Sequence, residues 1–287
     1  MSVIKNNKNY GTKVKILQSE PVPLTSTYFY VEDFSGSDNT LTITRQSGSP
    51  MAIEVFASTD QINWTSMGTT NLDTPLTTTI PANGKLYLKA NTAQWGNDWD
   101  SGTVINASSY FKVGGNIMSL LNGDNFVNSG FAPNSNHNFD SLFVDSNTLI
   151  SASELQLPAT TLTDSCYQRM FIFCTQLMGV PTLPATTLTS YCYSEMFNRC
   201  ILLTKAPVLP ATTLVENCYT SMFYDCARLN SITTYAQDIS ATDCLTNWLG
   251  SWFYGMSATG DFYNLGGATY PSGASGILEG WTEHTSL

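Results

Sequence analysis

The chain has 287 residues, enough for two domains that each bury a core. Only 12% of them are charged and the formal net charge is −10, which argues against general nucleic-acid binding. No run approaches the roughly 18 apolar residues that a transmembrane helix needs.

Residues 1–20 read as a basic docking arm. Lys5, Lys8, Lys13 and Lys15 lie in a stretch without an acid before Glu20, ahead of an acidic body. Lys13 to Leu17 alternates, so Ile16 and its neighbours could add as a strand to a partner. The other reading of this stretch is a frayed terminus. No apolar segment follows the basic residues of the first eighteen, so no signal peptide is legible. With Met1 at the start, this favours a protein made in a cytoplasm and released by lysis over an exported one.

Residues 21–113 read as short β-strands. Tyr28–Val31, Leu41–Thr44, Ile53–Phe56, Leu76–Ile80 and Leu86–Leu88 are β-prone, and several alternate. Turn residues such as Ser35–Asn39 and Ala82–Gly84 separate them. The fold expected here is an antiparallel β-sandwich. Ser58 to Trp64 resembles a hairpin of fibronectin-like modules in which the Trp packs inward. Gln94 to Trp99 is a polar loop with two Trp. Trp95, Trp99 and Asp98 are therefore candidate ligand contacts, since an exposed Trp pair can stack on a sugar ring or a protein. The alternative is that both rings cover one end of the sandwich.

Residues 114–139 form a junction. Ile117–Leu121 within it is short and apolar, and is expected to cap the open end of a repeat array. Residues 140–250 are that array, built on one unit written three times. Leu157-Pro-Ala-Thr-Thr-Leu162 returns at Leu183 and at Leu209. Cys166-Tyr167, Met170-Phe171, Cys174 and Leu177 return with the same 26-residue offset. Twelve positions are identical in all three copies. A fixed period of this length means stacked supersecondary units. In the central copy Cys192, Tyr193, Met196, Phe197 and Cys200 fall at i, i+1, i+4, i+5 and i+8. That spacing predicts one face of a short helix, with Ser194, Glu195, Asn198 and Arg199 on its solvent side. Pro207 and Pro210 end it and predict an extended segment. Phe143 to Leu149 is a degenerate half-repeat with Ser146 in place of Cys.

Pro-Ala-Thr-Thr-Leu followed by Cys-Tyr-x-x-Met-Phe-x-x-Cys-x-x-Leu resembles the BspA-like leucine-rich repeats. These occur in surface proteins of gut Bacteroides-group bacteria and in their crAss-like phages. Gly115 to Asp124 and Gly276 to Thr282 are similar to that family's junction and closing segments. The resemblance implies a short leucine-rich-repeat solenoid, a role in binding or display, and no known catalytic residues. Varied positions of the repeats, Ser194, Glu195, Arg199, Tyr224 and Arg228, are candidate ligand contacts.

Residues 251–287 are rich in aromatics and glycine, and are expected to close the stack. Trp252, Phe253, Tyr254 and Trp281 are also a candidate subunit interface, because aromatics are enriched in interface cores. All seven cysteines fall in the repeats. Cys-x7-Cys on a helix separates the thiols by about 12 Å, too far for a disulfide, and zinc favours closer pairs. Small buried reduced side chains are expected. His137 and His284 sit in no catalytic arrangement, and no cofactor, nucleotide or metal motif is legible. We expect no catalytic, cofactor or metal site.

Three classes of function fit these features. The first is a phage virion protein, such as a head fibre or another capsid or tail appendage. It would dock by its arm onto virion proteins, show its domains to a host-surface glycan or protein, and form homo-oligomers, with a trimer one option. The second is a bacterial cell-surface adhesin or glycan-binding protein. The third is an enzyme acting on surface polysaccharide, for which no catalytic constellation is present.

Overall fold

The computed structural model describes residues 27–46, 52–93, 95–96, 102–127 and 136–287. The docking-arm residues Lys5, Lys8, Lys13, Lys15 and Ile16 lie outside them, as do Asp98 and Trp99. The described chain is mostly β, with twelve strands and little helix.

Eight strands build the N-terminal part: β1 (Tyr30–Asp33), β2 (Asn39–Arg45), β3 (Glu54–Ser58), β4 (Thr65–Thr69), β5 (Leu76–Ile80), β6 (Lys85–Ala90), β7 (Thr103–Ala107) and β8 (Phe111–Asn116). The reason is visible in β2. Leu41 and Ile43 are buried, Thr40 and Thr44 are exposed, and β-branched side chains suit a pleated, half-buried surface. β5, β2 and β7 form one antiparallel sheet. A second sheet runs β4-β3-β6-β1-β8-β9, where β9 (Leu149–Gln156) pairs parallel with β8. Leu41, Ile43, Ile80 and Ile105 of the first sheet share one continuous core with Val31, Val55 and Leu88 of the second. The strands from β7 to β9 tie the two halves of the chain together, and only β1, β2, β3, β5 and β6 were marked by the sequence pattern. Ile117–Leu121 is buried, and the short helix α1 (Ser119–Asn122) packs against β6.

The 26-residue units stack as coils, and their apolar face is not helical. Ser165, Arg169 and Phe173 have positive φ, as do Tyr191, Glu195 and Arg199 in the next coil and Asn217, Ser221 and Asp225 in the one after. One left-handed residue in every four rules out an α-helix. The amides explain the shape. Gln168, Met170, Ile172 and Cys174 each donate to the carbonyl three residues back. The residues between them donate to the next coil instead. Tyr167, Arg169, Phe171 and Phe173 reach the carbonyls of Cys192, Ser194, Met196 and Asn198 at 2.9–3.1 Å. The same alternation joins each later pair of coils. A ribbon of tight turns thus satisfies half its donors internally and half through its neighbour, which a helix could not do.

This register puts like on like. Phe143, Phe171, Phe197 and Phe223 stack at 5.3, 5.5 and 5.8 Å between centroids, all within 10° of parallel. Phe139, Tyr167, Tyr193 and Tyr219 form a second column at 6.0, 5.9 and 6.1 Å. The half-repeat around Phe143 is therefore the first coil of the stack. Its last coil places Trp248 beneath Phe223 at 6.4 Å. A parallel sheet joins β10 (Ser231–Thr234), at the end of the third unit, to β11 (Gly260–Asn264) and β12 (Trp281–His284), and Phe262 and Trp281 within it are buried.

All seven cysteines are free and buried. One of the two thiols in each unit plays the same role: those of Cys174, Cys200 and Cys226 donate to the carbonyls of Phe143, Phe171 and Phe197 in the preceding coil, at 3.0, 3.2 and 3.0 Å. Burial pushes the Cys166 thiol up to about 12 and raises the others as well. Because the thiolate is the reactive form, native protein should react slowly with a thiol reagent at pH 8. Unfolded protein should titrate all seven thiols. Rapid labelling of three or more in native protein would contradict this packing. A fall in melting temperature on adding reductant would instead reveal disulfides.

Candidate functional site

Two charged clusters lie along the turn ribbon and draw mostly on its left-handed positions, among them His137, Arg169 and Glu195 in one and Arg199 and Asp225 in the other. In the first, the Asp140 side chain is fully buried. Arg169 Nη2 donates to both its oxygens at 2.9 and 3.1 Å, Ser141 Oγ donates at 2.8 Å, and His137 Nδ1 lies at 3.1 Å. Glu195 stands one coil on. Burial raises the pKa of its carboxyl, with Asp140 adding to the rise and Arg169 and Asn198 opposing it.

The second cluster centres on Arg199. Its guanidinium lies between two aromatic rings, 4.9 Å from the Phe173 centroid and 4.8 Å from that of Phe253. Arg199 Nε is 3.4 Å from Oδ2 of Asp225, whose side chain is wholly buried. The other oxygen of Asp225 gathers the loop after the last coil. Ser251 Oγ donates to it at 2.7 Å, and the amides of Trp252, Phe253 and Tyr254 at 2.8, 3.2 and 3.5 Å. Burial works to raise the Asp225 pKa, but these donors outweigh it and hold the carboxyl below its ordinary value. The anchored loop turns its side chains outward: Trp252 is 79% exposed, Phe253 67% and Tyr254 55%. Tyr224 lies beside the loop, its ring so close to Gly250 that an added Cβ there would come within 2.7 Å of it.

Several sequence expectations change here. Trp95 is not a surface residue. It is 1% exposed and its indole donates to the Leu120 carbonyl at 2.6 Å, because the neighbouring β7 and α1 close over it. Ser194 and Asn198, expected on a solvent face, are buried, since the four-residue turn tucks these positions between coils where a helix would expose them. Glu195 and Arg199 are half-buried and Arg228 is exposed. Trp281 is buried, with its indole donating to the Ser257 carbonyl, so it closes the stack and is not available to a partner subunit. Trp252, Phe253 and Tyr254 are free at the surface. The pattern did not mark Phe173 or Asp225. The one signal for Asp225 is Ser251 standing a single repeat length later. Among the described residues, no group of three or more His, Cys, Asp or Glu could hold a metal ion.

Comparison with protein-family models, with curated proteins and with solved structures gives no match.

Proposed function

We propose that the chain is a non-enzymatic display protein of a bacteriophage virion, a head fibre or another capsid or tail appendage. On this reading the two N-terminal sheets are an immunoglobulin- or fibronectin-like sandwich, and the stacked coils are a BspA-like leucine-rich-repeat solenoid. The N-terminal arm attaches to other virion proteins, and the coils face a host-surface glycan or protein. One observation carries it. Of the positions identical in all three copies, every one in the central unit is buried except Pro184, Thr186 and Thr187. The repetition is thus spent mainly on packing, while part-exposed and exposed residues such as Glu195, Arg199 and Arg228 differ from copy to copy, as in a scaffold for presentation.

The test is attachment. Deleting residues 1–18 should leave a folded protein that no longer joins its assembly. Changing Lys5, Lys8, Lys13 and Lys15 to Gln should weaken attachment, most visibly at low salt, where screening is least. Ile16→Asp should abolish it if a strand is added. Recovery of truncated protein on virions at the wild-type copy number would sink the arm's role. Antibody labelling of a bacterial envelope rather than of virions would replace the whole reading with that of a surface adhesin.

A further inference from the structure

We propose that the Trp252-Phe253-Tyr254 loop, with Arg199 beside it, is a binding platform for a neutral polysaccharide. The inference rests on the display reading and names the surface that would do the binding.

Three consecutive large aromatics at high exposure are unusual on a surface, and here they are held in place. Asp225 fixes the loop through Ser251 and three successive amides, so the rings are presented on an ordered backbone. Phe253 rests on Arg199, which rests on Phe173, making one continuous stack across two coils. Trp252 adjoins Phe253 at 6.4 Å. Preorganisation of this kind reduces the ordering that a ligand would otherwise impose.

The chemistry selects the occupant. The Nη groups of Arg199 have no partner among the described residues, and the side chain is partly exposed, so they can donate to oxygen acceptors beside the rings. A pyranose offers an apolar C–H face for an aromatic ring and hydroxyl oxygens at its edge. Charge argues against polyanions: Asp225 neutralises Arg199, and the chain as a whole carries −10. Size argues against a protein partner. At about 200 Å² per aromatic side chain, the exposed fractions of the three rings amount to roughly 400 Å². A standard protein interface buries about 800 Å² per partner. The smaller area matches a few sugar rings.

Affinity electrophoresis tests this with the full chain. Native gels would contain a neutral polysaccharide (β-glucan, dextran, α-mannan or xyloglucan) or the acidic polygalacturonate. We expect retardation by at least one neutral polymer and none by polygalacturonate. Trp252→Ala and Phe253→Ala should each weaken it at least tenfold, with melting temperatures close to wild type because both side chains are exposed. Arg199→Gln should weaken it too. No retardation by any neutral polymer, or equal retardation of the variants, overturns the platform. So does retardation by polygalacturonate alone. Conversion of an oligomer to a monomer by Trp252→Ala in sedimentation would make the loop a subunit contact instead. None of these outcomes bears on whether the chain is found on virions, so this proposal and the display reading can fail separately.

Discussion

Replacing Phe197 by alanine should lower the unfolding free energy by about 3–5 kcal/mol, the usual cost of truncating a buried aromatic. The ring is fully buried between Phe171 and Phe223, 5.5 and 5.8 Å away and within 3° of parallel to both. Both faces would lose their neighbour, and the coil cannot collapse into the space. Its backbone is fixed from both sides, by the Phe197 amide on the Met222 carbonyl and the Phe171 amide on the Met196 carbonyl. Met178→Ala, at a residue 58% exposed, should cost less than about 0.5 kcal/mol. Glu195 would be a poor control, since it is half-buried near Arg169. Denaturation midpoints that fall together for Phe197→Ala and Met178→Ala would refute the stacked column.

Arg169→Ala should be nearly as damaging, at about 3–5 kcal/mol, because it strands a buried carboxylate. The Asp140 side chain has no exposed surface, and Arg169 from the adjacent coil sets one nitrogen, Nη2, against both its oxygens. Only Ser141 and His137 would remain to it. Removing both charges should cost less than removing one, so Arg169→Ala combined with Asp140→Asn should recover part of the loss. A double variant whose loss equals the sum of the single losses would show that the two side chains are not coupled. The second ion pair should behave more mildly. Asp225 keeps Ser251 and three amides when Arg199 is removed, so Arg199→Ala should destabilise less than Arg169→Ala.

Much of the inner surface was legible because repetition exposes it. Cys192, Tyr193, Met196, Phe197, Cys200 and Leu203 were marked as inward by the pattern, and all are buried. Backbone conformation was not legible. A repeat of four and a repeat of 3.6 differ by less than one residue over the nine positions from Cys192 to Cys200, so the same marks fit a helix and a turn ribbon. The deciding factor is the amide pairing between coils, a contact 25 residues away in sequence that no local propensity reports. The left-handed sites carry Arg, Glu, Ser, Tyr and Asp rather than glycine, which removes the usual signal for positive φ. The outer surface suffered for it: Ser194 and Asn198 follow the ribbon inward. For Trp95 the second of the two readings, a covered ring, is the one that holds. A polar neighbourhood in sequence does not reveal that β7 and α1 meet over the indole.

Between coils the backbone amides of the array pair each coil with its neighbour in one repeated register. An in-frame loss of Leu183 to Val208 would bring Phe171 onto Phe223 and the Phe171 amide onto the Met222 carbonyl, leaving both ends of the stack unchanged. A gain of one unit is equally neutral to the packing, since stability in such an array adds unit by unit. Copy number can therefore drift by recombination between near-identical segments while the interior stays intact. Residues 183–208 also carry Glu195 and Arg199, so the same exchange would reshuffle the outward residues. Reach and recognition would then change together, in steps of one coil, at little risk to folding.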